Sequence, residues 1–238
     1  MLMITPDSLY GSVGAVLSAL IVVACFAGFS LHSDVFSGIP RKDFFWYYTN
    51  LSNLLVAFYF SCAAPFFYAR RALYRFIPLA EFSVTMSIML THAVFHLVIF
   101  PGVKPQLRRI SSSIQNRMIA VNNLLVHYAV PWLVLLYYLL CSPRKDSLSL
   151  AAAPLWILFP LGYAAVVFLH AGAGKVIPGT GLPYPYPFLD VSLLGKKRVL
   201  FTCAVLCAVC ALGSVSVLCI IRALYALLGG GRALFLVG

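Results

Sequence analysis

An all-α bundle of six transmembrane helices is the fold this sequence predicts, and three observations predict it. Hydrophobic residues fill 62% of the 238 positions and charged residues only 10%, whereas a soluble domain carries about a quarter charged. The apolar residues fall into runs close to the ~20 that cross a bilayer as a helix. One connection, 171–198, is long and irregular, with the sequence AGAGKVIPGTGLPYPYPFLDVSLLGKKR. No polar block is long enough to fold alone, so residues 1–238 are read as a single membrane domain.

The windows lie at about 10–31, 45–69, 77–101, 118–140, 150–170 and 199–228. The first is read as a span and not a cleaved signal, because no Lys or Arg precedes it and it exceeds about 20 residues. Six crossings place both ends on one side, A. The connections 32–44, 102–117 and 171–198 then lie on the other side, B. Gly and Pro exclude a continuous helix over 171–198, and its aromatic residues suit an interface, so it is read as a cap over side B.

Lys and Arg outnumber Asp and Glu by 17 to 6, which gives a net charge of +11. These cations sit mainly in short loops beside spans, where they set topology and meet anionic headgroups, so a bilayer and not nucleic acid is the expected partner. They are more numerous on side B, which leans toward B being cytoplasmic. The seven cysteines contain one CxxC pair, Cys207 and Cys210, inside the last apolar window. Cys203, Cys207 and Cys210 follow the i, i+4, i+7 spacing of a packing stripe.

The second window carries an oddity. FFWYYTNLSNLLVAFYF, residues 44–60, holds Thr49, Asn50, Ser52 and Asn53 inside an aromatic, apolar stretch. Unpartnered polar groups cost several kcal/mol in hydrocarbon, so neighbouring helices are expected to satisfy this knot. Depth supports convergence. Thr49 lies about 9 Å in from side B and His127 about 15 Å, with Asn123 one turn above His127. His92 and His96, near the end of the third span, Asn122 on the fourth, His170 at the end of the fifth and Asp190 in the cap all fall toward side B. Interhelical hydrogen bonding, worth roughly 0.6–2 kcal/mol per contact, accounts for such residues one at a time. A shared depth on four helices points to a site. Glu81 stands apart on side A, where it is expected to pair with Arg70, Arg71 or Arg75 or to face the interface.

A threonine hydroxyl attacks only with a base at hand, and a neutral imidazole supplies one. Thr49 and His127 are the catalytic candidates. Asn50, Asn53 and Asn123 are candidates to donate to an oxyanion, and His92, His96 and Asp190 to orient the base. Phe44, Phe45, Trp46 and Leu124 are candidates to line an acyl-chain site. Two other readings stay open on the residues alone. His92, His96 and His127 are enough imidazoles for a metal or haem site. A polar cluster within a membrane also suits a transporter of small molecules or lipids, although paired repeats and broken helices are missing.

Three motifs, TNLSNLL at 49–55, LLVHYAVP at 124–131 and YPYPFLDV at 184–191, resemble the androgen-induced protein and androgen-dependent TFPI-regulating protein family in its broader form, which includes bacterial members. The resemblance implies a multi-pass membrane threonine hydrolase of fatty acid esters of hydroxy fatty acids, without a cofactor. It puts the nucleophile at Thr49 and the catalytic histidine at His127. It also implies cytosolic termini, opposite to the lean of the loop charges.

Overall fold

Helices build most of what is described, and each keeps its backbone hydrogen bonds inside itself, as a chain in hydrocarbon must. The structure is a computed structural model and describes residues 6–32, 41–63, 76–101, 114–142 and 147–227. Among them there is no strand. Helix α1 is Pro6–His32. Helix α2 is Tyr48–Phe58, continued by a π-helical turn, Tyr59–Ala63. Helix α3 is Ile77–Val94 with the π turn Phe95–Ile99. Helix α4 runs through Ile114–Leu124, the π turn Leu125–Ala129 and Val130–Cys141. Helix α5 starts as a 3-10 turn, Ala153–Ile157, and continues over Leu158–Gly172. A one-turn helix α6, Val191–Leu194, precedes α7, Lys196–Leu227.

Five of the six expected windows are helices long and apolar enough to cross a membrane, which makes this an all-α, multi-pass membrane protein. The second is described only in part. Residues 48–63 reach about 24 Å at 1.5 Å per residue, and positions 64–69 of that window lie outside the described residues. Its expected start at 45 is instead a 3-10 turn, Phe44–Trp46, because Tyr47 is extended at φ −98 and ψ 127.

Two apolar cores share α3 and α4. Ile21 and Cys25 of α1, Val56 of α2, Ile88 of α3 and Val130 and Val134 of α4 form one. Phe82 and Tyr138 join Trp156 of α5 and Leu218 of α7 in the other. Outward positions are apolar too, among them Leu97, Leu169 and Leu212, each at least 70% exposed, which is how a surface bathed in lipid is composed.

Glycine sets the approach of α1 to α4. A Cβ built on Gly28 would stand 2.7 Å from Val126 Cγ1, and a β-branched side chain in a helix has almost one rotamer to offer. Gly28→Ala is therefore expected to lower stability by about 1–3 kcal/mol, seen as a lower thermal midpoint in detergent. An unchanged midpoint would contradict this packing.

Glu81 departs from expectation. It is 2% exposed, accepts a hydrogen bond from Ser142 Oγ and lies beside Tyr59, so it belongs to the interior and not the interface. Its expected partners Arg70, Arg71 and Arg75 lie outside the described residues.

The 171–198 connection folds as a cap. Gly179 and Gly181, both at positive φ, flank a turn closed by Thr180 N–H to Ile177 O at 3.1 Å and Ile177 N–H to Leu182 O at 2.8 Å. After it, Tyr186 and Leu189 bury themselves against Tyr48 of α2 and Val167 of α5. Gly195, at φ +79, then turns the chain from α6 into α7.

Candidate functional site

Each member of the polar knot on α2 is held by a different neighbour. Asn50 Nδ2 donates to Phe44 O at 2.7 Å and so ties the 3-10 turn to the helix. Ser52 Oγ meets Thr91 Oγ1 of α3 at 2.7 Å. Asn53 Nδ2 donates both to Thr49 O at 2.8 Å and to Val126 O of α4 at 3.3 Å, so both carbonyls lie within 3.3 Å of one nitrogen. The Thr49 hydroxyl meets Tyr186 of the cap. Asn50, Ser52 and Asn53 thus tie α2 to the preceding turn, to α3 and to α4, while Thr49 stands beside Tyr186 of the cap.

Beside the knot is a chamber of about 120 Å³. Thr49, Thr91, Thr202, Tyr48, Tyr163 and Tyr186 are the hydroxyl-bearing residues of its lining. Most of the remainder is apolar, with Leu90, Val94, Phe95 and Ile99 of α3, Ile157 and Leu161 of α5, and Leu206 of α7. Cys203, Cys207 and Cys210 also face it, each a free thiol. The space is large enough for several waters by volume, but a wall this apolar favours hydrocarbon.

His127 is buried in the π turn of α4 and stacks on Phe95 with centroids 3.7 Å apart and planes 9° from parallel. Phe95 lines the chamber, so His127 backs the wall and does not itself line it. The side chain beside the Thr49 hydroxyl is Tyr186. His92 Nδ1 lies 2.7 Å from His127 O. A carbonyl only accepts, so His92 carries its hydrogen on Nδ1 and fixes the π turn that presents His127.

The other histidines spread outward. His96 is exposed, its Nδ1 3.1 Å from the Tyr128 hydroxyl. His170 Nε2 donates to Val176 O at 3.3 Å, and its ring lies 4.1 Å from that of Trp46. Among the described residues no three His, Cys, Asp or Glu side chains are grouped as metal ligands.

Several expected roles change. Asn50 is engaged with the turn, whereas Asn53 joins α2 to α4, and Asn123 is half-buried on α4 away from the chamber lining. Asp190 caps α6, with Oδ1 accepting from Ser192 N–H at 2.8 Å and Leu193 N–H at 3.1 Å, an assignment other than orienting His127. Phe44, Phe45, Trp46 and Leu124 do not line the chamber. Phe44 packs on Phe29 of α1, Phe45 and Trp46 face a separate groove along α5, and Leu124 is 59% exposed. The reason is common to all four. In a membrane the ligand-facing and lipid-facing surfaces are both apolar, so residue type does not separate them.

The Asp190 carboxyl is held below its ordinary range, chiefly by the Ser192 hydroxyl. A lowered folded value means that the cap's stabilisation is present at neutral pH and is lost as pH falls through that lowered value. Asp190→Ala is expected to lower the thermal midpoint by the equivalent of about 0.5–2 kcal/mol, the usual worth of such a cap. An unchanged midpoint would contradict this cap.

Tyr186 and Tyr163 were not singled out from sequence. YPYPFLDV carried a family resemblance, but nothing in it says which of its aromatic residues turns inward. No family model matches this chain, and neither curated proteins nor solved structures give a match.

Proposed function

We propose that this chain is an intramembrane threonine hydrolase of lipid esters, with fatty acid esters of hydroxy fatty acids as the substrate class that the motif resemblance implies. The observation that carries the reading is the position of Thr49, a hydroxyl on the wall of a mainly apolar chamber that the cap residues Tyr186, Phe188 and Leu189 also line. An acyl chain lies among Leu90, Leu161 and Leu206, and its ester stands at Thr49. Thr49 Oγ attacks the carbonyl carbon, and its proton passes to His127. The tetrahedral intermediate collapses with loss of the alkoxide, which takes that proton. Water then cleaves the acyl-threonine by the same steps with His127 again as base.

Proton transfer needs the imidazole within hydrogen-bond reach of Thr49. Phe95 touches both the chamber and the His127 ring, so it is the side chain that such a shift moves. The test is a panel of purified esters, fatty acid esters of hydroxy fatty acids and simple glycerides among them, offered to the detergent-solubilised protein. Release of free acid by the parent and none by Thr49→Ala supports the reading. Tight binding of esters that are recovered intact from the parent would instead identify a lipid carrier.

A further inference from the structure

The mechanism leaves unused a tyrosine that lines the chamber with the nucleophile, Tyr186. Tyr186 is almost fully buried, with its ring stacked on Phe188 at 5.2 Å and 11° and edge-on to Tyr47 at 5.9 Å and 79°. This packing holds the phenol at the start of α2. There its oxygen meets the Thr49 hydroxyl and the first amides of the helix, those of Tyr48 and Thr49. Tyr47, at the N-cap, supplies no side-chain bond to those amides.

Tyr163 Oη donates its one hydrogen to Trp46 O at 2.8 Å, which holds its ring beside Tyr186. The hydrogen of Tyr163 is committed to that carbonyl, whereas the Tyr186 hydroxyl keeps one of its own in the chamber that it lines with Thr49.

Thr49 and Tyr186 line the same chamber, so an ester whose carbon stands about 3 Å from Thr49 Oγ has its carbonyl oxygen in the space that the Tyr186 side chain also borders. We propose that Tyr186 is a catalytic residue of this site, donating a hydrogen bond to the ester carbonyl oxygen and stabilising the oxyanion as Thr49 attacks. The proposal rests on the reading of Thr49 as nucleophile. As the Thr49 Oγ–carbon bond forms, the carbonyl π pair moves onto oxygen. Tyr186 keeps its proton throughout and donates only a hydrogen bond. When the pair returns, the bond to the leaving oxygen breaks and the proton held by His127 goes to that oxygen. Burial pushes the phenol above its ordinary value against the pull of Thr49 and the amides, so at neutral pH it is a neutral O–H and a donor.

The experiment compares the parent with Tyr186→Phe, Tyr163→Phe and Thr49→Ala, reading kcat and KM on a long-chain ester and the thermal midpoint in detergent. Tyr186→Phe keeps the ring and its packing. Its kcat is expected to fall about 10²–10³-fold, the usual effect of losing an oxyanion donor, with KM within about threefold. Tyr163→Phe, which only positions Tyr186, is expected to fall by less. A kcat for Tyr186→Phe within threefold of the parent, or a rise in KM alone, overturns the proposal. If Thr49→Ala is inactive while Tyr186→Phe matches the parent, only Tyr186 is excluded. If Thr49→Ala turns over normally, the nucleophile reading fails and this proposal with it. Should Tyr186→Phe not fold, difluorotyrosine at 186 retains ring and hydroxyl but ionises more readily. Activity then declines at a lower pH than in the parent, and an identical pH profile overturns the proposal.

Discussion

Thr49→Ala is expected to reduce ester turnover by at least about 10³-fold while leaving the protein folded, because removal of a covalent nucleophile leaves only binding and oxyanion stabilisation. The variant should remain folded because Thr49 is half-buried and its carbonyl, which accepts from Ser52 Oγ at 3.0 Å and Asn53 Nδ2 at 2.8 Å, belongs to the backbone and survives the change. Only the hydroxyl contact to Tyr186 is lost. The effect should fall on kcat, since the apolar walls that hold the chain are untouched. Thr49→Ser retains a hydroxyl at the same place and should keep measurable turnover. A Thr49→Ala protein that hydrolyses esters at the parent's rate would exclude Thr49 from the chemistry.

His127→Ala carries the second large effect, a fall of about 10²–10⁴-fold in turnover, the usual contribution of a general base. It is not structurally silent, because the ring is buried and stacked on Phe95. His127→Gln separates the two contributions, since it fills much of the same space without an imidazole. Both variants should lose turnover alike, while the thermal midpoint falls further in His127→Ala. His92→Ala supplies a contrast. His92 holds the His127 carbonyl through Nδ1 and not its ring, so its loss should loosen the π turn and cost less in rate than removal of His127. Full turnover in His127→Gln would assign the base elsewhere.

Much of the fold was legible in the sequence because hydropathy reports directly on a membrane span. Five windows became helices of spanning length, and the Gly- and Pro-rich stretch became a cap. The knot at Thr49, Asn50, Ser52 and Asn53 was legible as well, since amides in an apolar helix need partners, and each found one. What the partners are was not legible. Asn53 reaches a backbone carbonyl on α4 and Thr49 reaches a tyrosine 137 positions away, and neither follows from spacing along the chain. The chamber lining was hidden for a different reason. Leu124 and Leu161 are the same residue on apolar helices, and only the packing of α5 and α7 against α3 puts one in lipid and the other beside a cavity. The π turns add to this, because a widened turn shifts the phase of each following side chain from that of a regular helix.

A long-chain fluorophosphonate reports most directly on the claim that a hydroxyl under the cap is the nucleophile. The parent protein, labelled in detergent and digested, should carry the phosphonyl group on Thr49, in the peptide spanning TNLSNLL, and Thr49→Ala should carry none. An adduct on another residue, or a folded parent protein that no such probe labels, would contradict the account.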